Sequence, residues 1–307
     1  MNKKIFAFGN PVYDVISTPR IVRPERILSG CSTNACLAAS LLGEQATLVG
    51  TVGEDFRARL QADLDERRVS YRLLPSKETG GFSLIYYDEH GNRHLSILGT
   101  ADAIPNEMDG VEDADIVLIG PILGEISAEL VAEIKRRTQA PIVVDPQGLL
   151  RGSKDGKIFH EMSSSFEKIA AMATMVKANE LETKVVTGIE PRDDPEKAVR
   201  ALHKFGCKIA VTTLAEAGSI IYDGEKVYVI PPFTTDAIDP TGAGDTYAAG
   251  FMVKYLETPH DLRAVGCFGS AVASVMVENS GPDFPLTRPE ADWRQAFLLS
   301  QPQKLAL

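Results

Sequence analysis

The chain has 307 residues, of which 44% are hydrophobic, and its formal net charge is −10. This length and composition are typical of one large α/β domain with a substantial core. The acidic balance argues against a broad nucleic-acid-binding surface, and no apolar run reaches the length of a membrane span.

The chain opens on a short apolar run, residues 5–8, which is too brief for the apolar region of a signal peptide. None of the four cysteines forms a CxxC pair, and we interpret them as reduced thiols of a cytoplasmic protein. They are Cys31, Cys36, Cys207 and Cys267. The five histidines form no HxxxH or HExxH pattern, so the sequence gives a zinc site little support.

Further along, short apolar runs alternate with amphipathic segments. We predict strands over residues 5–8, 47–52, 116–119, 141–144, 175–177 and 208–212. Apolar residues at spacings of three and four predict helices over residues 34–42, 55–68, 127–137, 195–205, 244–255, 261–277 and 288–298. This alternation predicts a mostly parallel sheet with helices on both faces, and ligands at the carboxyl ends of its strands.

One region interrupts this alternation. Residues 80–88 and 93–98 read as two strands of a β-hairpin, joined by the glycine-containing turn at 89–92. Together with residues 70–74 and 10–28 they predict a small separate sheet, which would act as a lid over a cleft. The alternative is that the hairpin is only an edge of the main sheet.

The most informative segment, residues 239–246, reads Asp-Pro-Thr-Gly-Ala-Gly-Asp-Thr and leads into an apolar helix. Gly242 and Gly244 allow the backbone to approach a ligand closely, and the first turn of a helix presents N–H groups that favour a phosphate. A carboxylate among these donors, Asp245, is a candidate general base. The alternative is that Asp245 only caps the helix.

With these segments in place, the chain resembles the ribokinase-like (PfkB-type) carbohydrate kinase family over nearly its whole length. Residues 239–245 match its Asp-x-Thr-Gly-Ala-Gly-Asp signature. The resemblance implies that Gly242, Ala243 and Gly244 form an anion hole and that Asp245 is the catalytic base. Residues 9–14 match the segment whose aspartate binds substrate hydroxyls, which implies that role for Asp14.

A second signature of that family, Gly-Gly-x-x-x-Asn, corresponds to residues 29–34, in which Ser29 replaces the first glycine. The resemblance implies that Gly30 and Asn34 contact the substrate, while helix capping remains the alternative for Asn34. Residues 50–56 match a further segment, which would place Gly53 and Asp55 near the sugar site.

The nucleotide side carries two further matches. Residues 179–182 fit an Asn-x-x-Glu motif, which implies that Asn179 and Glu182 organise Mg²⁺ around the phosphates, with Glu182 acting through water. The alternative for Glu182 is a solvated helix carboxylate. Residues 213–218 take the place of the phosphate loop, with Thr213 and Gly218 matching and Ala215 replacing a glycine. This replacement leaves the preferred phosphoryl donor open.

The resemblance implies a single domain over residues 1–307, with a three-layer α/β/α Rossmann-like core and an inserted β-sheet lid formed mainly by residues 10–28 and 70–100. It further implies ATP and Mg²⁺ as cofactors, leaves open a monovalent cation such as K⁺, and suggests a homodimer through the lid sheet. The expected acceptor is a small sugar, polyol or nucleoside, with Arg93 of the hairpin among the substrate-binding residues. No nucleic-acid or membrane partner is expected.

Two segments bear on the acceptor. Residues 145–151 and 271–281 look like those of family members that phosphorylate nucleosides or cyclitols. Two other functions compete with a kinase. A non-catalytic sugar or nucleoside sensor could keep the same fold. A dinucleotide-dependent oxidoreductase is disfavoured, because Gly-Asn-Pro-Val at residues 9–12 stands where a Gly-x-Gly-x-x-Gly turn would follow the first strand.

Overall fold

The computed structural model of this chain describes residues 2–87, 93–106 and 110–307, with Arg93 described through its backbone alone. In chain order its strands are β1 (Lys4–Phe8), β2 (Val12–Ser17), β3 (Ile27–Ser29), β4 (Gln45–Gly53), β5 (Ser70–Ser76), β6 (Gly81–Tyr86), β7 (Arg93–Gly99), β8 (Ile116–Ile119), β9 (Ile142–Val144), β10 (Arg151–Lys154), β11 (Lys157–His160), β12 (Met175–Asn179), β13 (Ile209–Thr213), β14 (Ser219–Tyr222) and β15 (Val227–Ile230). They form two sheets.

The larger sheet has the strand order β15-β14-β13-β12-β9-β8-β1-β4-β5. The seven strands from β13 to β5 pair in parallel, while β14 and β15 add an antiparallel edge. Chain direction therefore brings the carboxyl ends of all parallel strands to one edge. The chain continues from β1 to β4 and β5 on one side of it and to β8, β9 and later strands on the other. Such a change of direction creates the crevice where open α/β sheets bind ligands.

Helices cover both faces of this sheet, as the sequence predicted. They are α1 (Cys31–Leu41), α2 (Arg57–Glu66), α3 (Ala128–Arg137), α4 (Ser164–Met172), α5 (Glu180–Thr187), α6 (Pro195–His203), α7 (Ala243–Glu257), α8 (Leu262–Val277) and α9 (Arg288–Ser300). The prediction missed α4 and α5. None of the helices among the described residues has both the length and the apolar character that crossing a bilayer requires.

The core divides along the strands because successive side chains point to opposite faces. In β1, Ile5 and Ala7 join one buried cluster, which includes residues of α1, α2, α7, α8 and α9. Phe6 and Phe8 join the other, which includes residues of α3, α4 and α6. The result is a three-layer α/β/α core, as the resemblance implied.

The smaller sheet has the order β10-β11-β7-β6-β2-β3, so the hairpin of β6 and β7 is not an edge of the main sheet. The expectation for residues 70–74 was wrong: β5 pairs in parallel with β4, from Thr47 opposite Ser70 to Gly53 opposite Ser76, and so belongs to the large sheet. The physical reason is that α2 returns the chain to the edge of β4 in a β-α-β crossover. The sequence analysis did not predict β10 and β11, which also belong to this sheet. The turn predicted at 89–92 lies outside the described residues.

Candidate active site

The glycine-rich turn lies where the sequence placed it, at the start of α7. Gly242 is the residue before the helix and has a φ of 82°, a left-handed conformation that favours glycine. Asp239, which is fully buried, holds the turn through hydrogen bonds to its carboxylate. One of its carboxylate oxygens accepts the amide of Thr241 at 2.9 Å, and the other accepts the hydroxyl of Ser280 at 2.7 Å. The turn is therefore held in place by the chain's own hydrogen bonds.

The amides of this turn differ in their availability. Ala243 N donates to the carbonyl of Pro240 at 3.2 Å, so its amide is engaged within the turn. Gly244 and Asp245 follow in the first helical turn, where amides have no intrahelical acceptor. A side chain at Gly244 would begin 2.8 Å from the Lys177 ammonium, which explains why glycine stands there.

Asp245 does not cap the helix, since no side-chain cap bond is formed at the start of α7. Its Oδ2 instead accepts a hydrogen bond from Asn34 Nδ2 at 2.8 Å. Asn34 lies inside α1, whose preceding residue is Gly30 with a φ of 117°, so Asn34 is not a capping residue either. The structure thus brings together the two residues that the sequence singled out from separate signatures.

A buried ion pair lies beside Asp245. Lys177 Nζ is 2.5 Å from Asp145 Oδ2, and these side chains are only 6% and 3% exposed. The same ammonium donates to the carbonyl of Gly244 at 3.2 Å. Ligand atoms of Cys31, Asp145 and Asp245 lie within 4.8 Å of one another, so the ammonium offsets the negative charge of a compact group.

This crowding of charge sets the protonation behaviour of the site. Burial raises the pKa of Asp245, the carboxylate of Asp145 raises it further, and Lys177 and Asn34 lower it. Burial alone would lower the pKa of Lys177, but the carboxylates of Asp145 and Glu182 more than offset this and raise it. The lysine therefore carries its positive charge at neutral pH.

Asn179 and Glu182 form a reciprocal capping box at the start of α5. Glu182 N donates to Asn179 Oδ1 at 2.9 Å, while Glu182 Oε2 accepts the amide of Asn179 at 2.8 Å. Glu182 is 5% exposed, so it is not a solvated carboxylate. Burial and the charge of Asp145 raise its pKa to about 7.

The Glu182 carboxylate offers oxygens of the kind that a magnesium ion prefers. Carboxylate oxygens suit Mg²⁺, and the ion retains several waters. Each Glu182 oxygen accepts a hydrogen bond from Asn179, which leaves it suited to contact a water rather than to enclose the ion. This fits the indirect role that the resemblance implied.

The phosphate-loop segment follows β13, which ends at Thr213. Its turn is closed by bonds from Leu214 N to Gly218 O at 2.8 Å and from Gly218 N to Ala215 O at 3.2 Å. Gly218 has a φ of 104°, and Ala215, which replaces the family glycine, has a φ of 47°. Alanine there carries the steric cost of a left-handed conformation. The turn therefore keeps the backbone path that a glycine would favour.

Asp14 lies on β2 and is 4% exposed, and its Oδ1 accepts the amide of Phe82 on β6 at 2.8 Å. Both strands belong to the small sheet, so this bond fixes the candidate acceptor-binding carboxylate within that sheet. Asp55 accepts the amide of Thr79 at 3.1 Å and its hydroxyl at 2.7 Å, so it supports a loop. The side chain of Arg93 lies outside the described residues.

The small sheet also contacts the glycine-rich turn directly. The hydroxyls of Tyr86, on β6, and Thr241 are 3.0 Å apart. Tyr86 is 4% exposed, so this bond is shielded from bulk water. The sheet is thus in direct contact with the turn.

The sequence missed Asp145 and Lys177 as site residues. Asp145 follows β9 at the same edge of the sheet as Asn179 and Thr213, and that position was a signal. Lys177 stands in a strand with an apolar pattern, and a lysine in such a place is rarely buried without a partner.

Comparison with known proteins shows the family of the chain. The model of the pfkB family carbohydrate kinases matches residues 2–289. A cytidine kinase of Thermococcus kodakarensis is 30% identical over 263 residues, which cover 82% of this chain and 88% of that protein. A nucleoside kinase of Methanothermobacter thermautotrophicus is 27% identical over 299 residues, covering 91% of each chain.

Solved structures share the fold. A pyrophosphate-dependent kinase in the ribokinase family, complexed with a pyrophosphate analog and myo-inositol, aligns with a TM-score of 0.80 at 23% identity, covering 94% of this chain and 99% of that one. The Burkholderia thailandensis nucleoside kinase in complex with inosine aligns with a TM-score of 0.75 at 22% identity, covering 98% and 99%.

Proposed function

Because this chain belongs to the pfkB family of carbohydrate kinases, we propose that it transfers the γ-phosphate of MgATP to a hydroxyl of a small sugar, polyol or nucleoside. It is a phosphotransferase with an alcohol group as acceptor. The finer assignment rests on one observation: the carboxylate of Asp245 lies at the start of α7 and is held by Asn34 at 2.8 Å.

In the proposed mechanism, Asp245 orients the acceptor hydroxyl and accepts its proton late in the reaction. Phosphoryl transfer has a loose transition state, so an aspartate is a sufficient base. The amides of Gly242 and Gly244 and the positive end of α7 face the charge that develops on the transferred group. Lys177, fixed between Asp145 and the carbonyl of Gly244, adds a positive charge at the same end of the helix.

Asn179 and Glu182 would hold Mg²⁺ through water, and the ion would neutralise charge on the donor phosphates. Thr213 and Gly218 would line the phosphates from the turn after β13. Asp14, Gly30 and Arg93 would contact the acceptor. Since Asn34 donates to Asp245, it would hold the base in addition to any contact with substrate.

Among the possible acceptors, nucleosides are the first to test, because the cytidine kinase and the nucleoside kinase match most of this chain. The small sheet would act as a lid that excludes water and limits hydrolysis of ATP. A homodimer through this sheet and a response to K⁺ are further parts of the proposal.

The test is a kinase screen with ATP, GTP, ADP and pyrophosphate as donors. The acceptors are adenosine, cytidine, inosine, ribose, hexoses, ketohexose phosphates and myo-inositol, each assayed with and without K⁺. We expect Mg²⁺-dependent turnover with at least one acceptor, and loss of that turnover in Asp245→Asn. Binding of an acceptor without transfer from any donor would instead favour the non-catalytic sensor.

A further inference from the structure

Arg192, in the loop between α5 and α6, connects two segments on the nucleotide side. Its guanidinium forms a two-pronged contact with Glu180, the first residue of α5: Nε is 2.5 Å from Oε2, and Nη2 is 2.9 Å from Oε1. This geometry is the strongest form of an arginine–carboxylate pair. Glu180 directly follows Asn179, so the contact lies next to the capping box.

The same guanidinium also reaches the turn after β13. Nη2 is 3.0 Å from Glu216 Oε1 and 3.4 Å from the carbonyl of Leu214. That turn contains Ala215 in its left-handed conformation, with a φ of 47°. One side chain thus joins the Asn-x-x-Glu segment to a turn whose backbone is strained.

Charge makes this contact relevant to the donor. Glu180 directly follows Asn179, and Glu216 lies in the turn that ends at Gly218. Both segments belong to the proposed nucleotide site. Two carboxylates there would repel polyphosphate, and a guanidinium between them offsets that repulsion.

We infer that Arg192 is a positioning residue for the phosphoryl donor, which holds the turn 214–218 against α5 and neutralises the two carboxylates beside the phosphates. This inference rests on the proposed function. Under this inference Arg192 does not contact the acceptor, which would bind near Asp14.

The competing interpretation is an ordinary surface ion pair, since the side chain of Arg192 is 38% exposed and such pairs contribute little. Arg136 on α3 is a matched control. It pairs with Glu133 at 2.7 Å, is 69% exposed and lies on a different helix from the nucleotide segments. A purely structural role would make Arg192→Ala behave like Arg136→Ala.

The experiment measures KM, kcat and Tm for the wild type, Arg192→Ala, Arg192→Lys and Arg136→Ala. The donor KM is measured with ATP varied at saturating acceptor, and the acceptor KM with the acceptor varied at saturating ATP. We expect Arg192→Ala to raise the donor KM about tenfold and to leave the acceptor KM within about twofold. Arg192→Lys keeps the positive charge but not the two-pronged contact, so its donor KM should lie between those of the wild type and Arg192→Ala. Arg192→Ala combined with Glu216→Gln should likewise have an intermediate donor KM, because an unpaired carboxylate is removed.

An unchanged donor KM in Arg192→Ala would overturn the inference, as would equal rises of both KM values. If Arg192→Ala does not fold, Arg192→Lys and Glu216→Gln provide the same comparison. Calorimetric measurement of ADP binding distinguishes a failure of the proposed function from a failure of this inference alone. A wild type that binds no ADP and transfers no phosphate contradicts the proposed function, whereas an active wild type with unaltered Arg192 variants contradicts this inference alone.

Discussion

Asn34 Nδ2 donates a 2.8 Å hydrogen bond to Asp245 Oδ2 across 211 positions of sequence. The bond joins α1, whose first residues belong to the second signature, to the first turn of α7. A base that must orient a hydroxyl has to be held in a defined direction, and this amide holds it. The first two predictions concern this pair.

Replacing the base tests the mechanism directly. Asp245→Asn keeps the size of the side chain but removes its capacity to accept a proton, so we expect kcat to fall by about 10²–10⁴-fold. Tm and the affinity for ADP should change little. Turnover close to that of the wild type would contradict the assignment of Asp245.

Replacing its partner should shift the pH dependence. The hydrogen bond from Asn34 favours the ionised carboxylate and lowers the pKa of Asp245, so Asn34→Ala should raise that pKa. The protonated form is inactive as a base, and the acidic limb of the kcat–pH profile should therefore move to higher pH. Ser40→Ala, on the same helix, is the control and should leave the limb in place. A shift to lower pH would contradict the role of Asn34.

Two replacements of Asp14 should separate binding from stability. Asp14→Asn keeps an oxygen for the amide of Phe82, so we expect a higher acceptor KM with little change in Tm. Asp14→Ala leaves that buried donor without its acceptor, which costs about 1–3 kcal/mol and should lower Tm as well. Equal acceptor KM values in the wild type and both variants would argue against a role in binding.

Glycine should be accepted at position 215. Because Ala215 has a φ of 47°, Ala215→Gly relieves a left-handed strain of about 1–2 kcal/mol, less the entropy that glycine loses, so the free energy of unfolding should not fall. The comparison variant is Ala217→Gly in the same turn, where φ is not positive and the methyl group is buried, so glycine should destabilise. Chemical denaturation measures the free energy of unfolding of both variants. An equal decrease of that free energy in the two variants would contradict this account of the strain.

Glu182 should contribute to the pH dependence of stability. Its pKa in the folded chain is about 7, above the ordinary value of 4.5, so the folded chain binds this proton more tightly than the unfolded chain. Its contribution to the free energy of unfolding is present below about pH 4.5 and is lost as the pH rises to about 7. Glu182→Gln retains a capping side chain and should weaken this decline, while Glu129→Gln on α3 should not. An identical decline in Glu182→Gln and wild type would contradict the raised pKa.

The sequence by itself determined the layers of the fold. Alternation of short apolar runs with amphipathic segments is a local pattern that records which faces of strands and helices are buried, and it predicted the sheet covered on both sides. The signature at residues 239–245 likewise predicted a glycine-rich turn with Asp245 at the start of a helix, because that placement depends on adjacent residues. Residues 70–76 show the limit of such patterns, since nothing local states which strand they pair with.

Only the tertiary structure decided which charges meet. Lys177 and Asp145 are separated by 32 positions, yet their side chains meet because β9 and β12 pair in parallel and end at the same edge. Asn34 reaches Asp245, and Arg192 reaches both Glu180 and Glu216, through the same kind of assembly. Side-chain pattern depends on a few neighbouring residues, whereas such contacts depend on strand order and on how helices pack, which are properties of the whole chain.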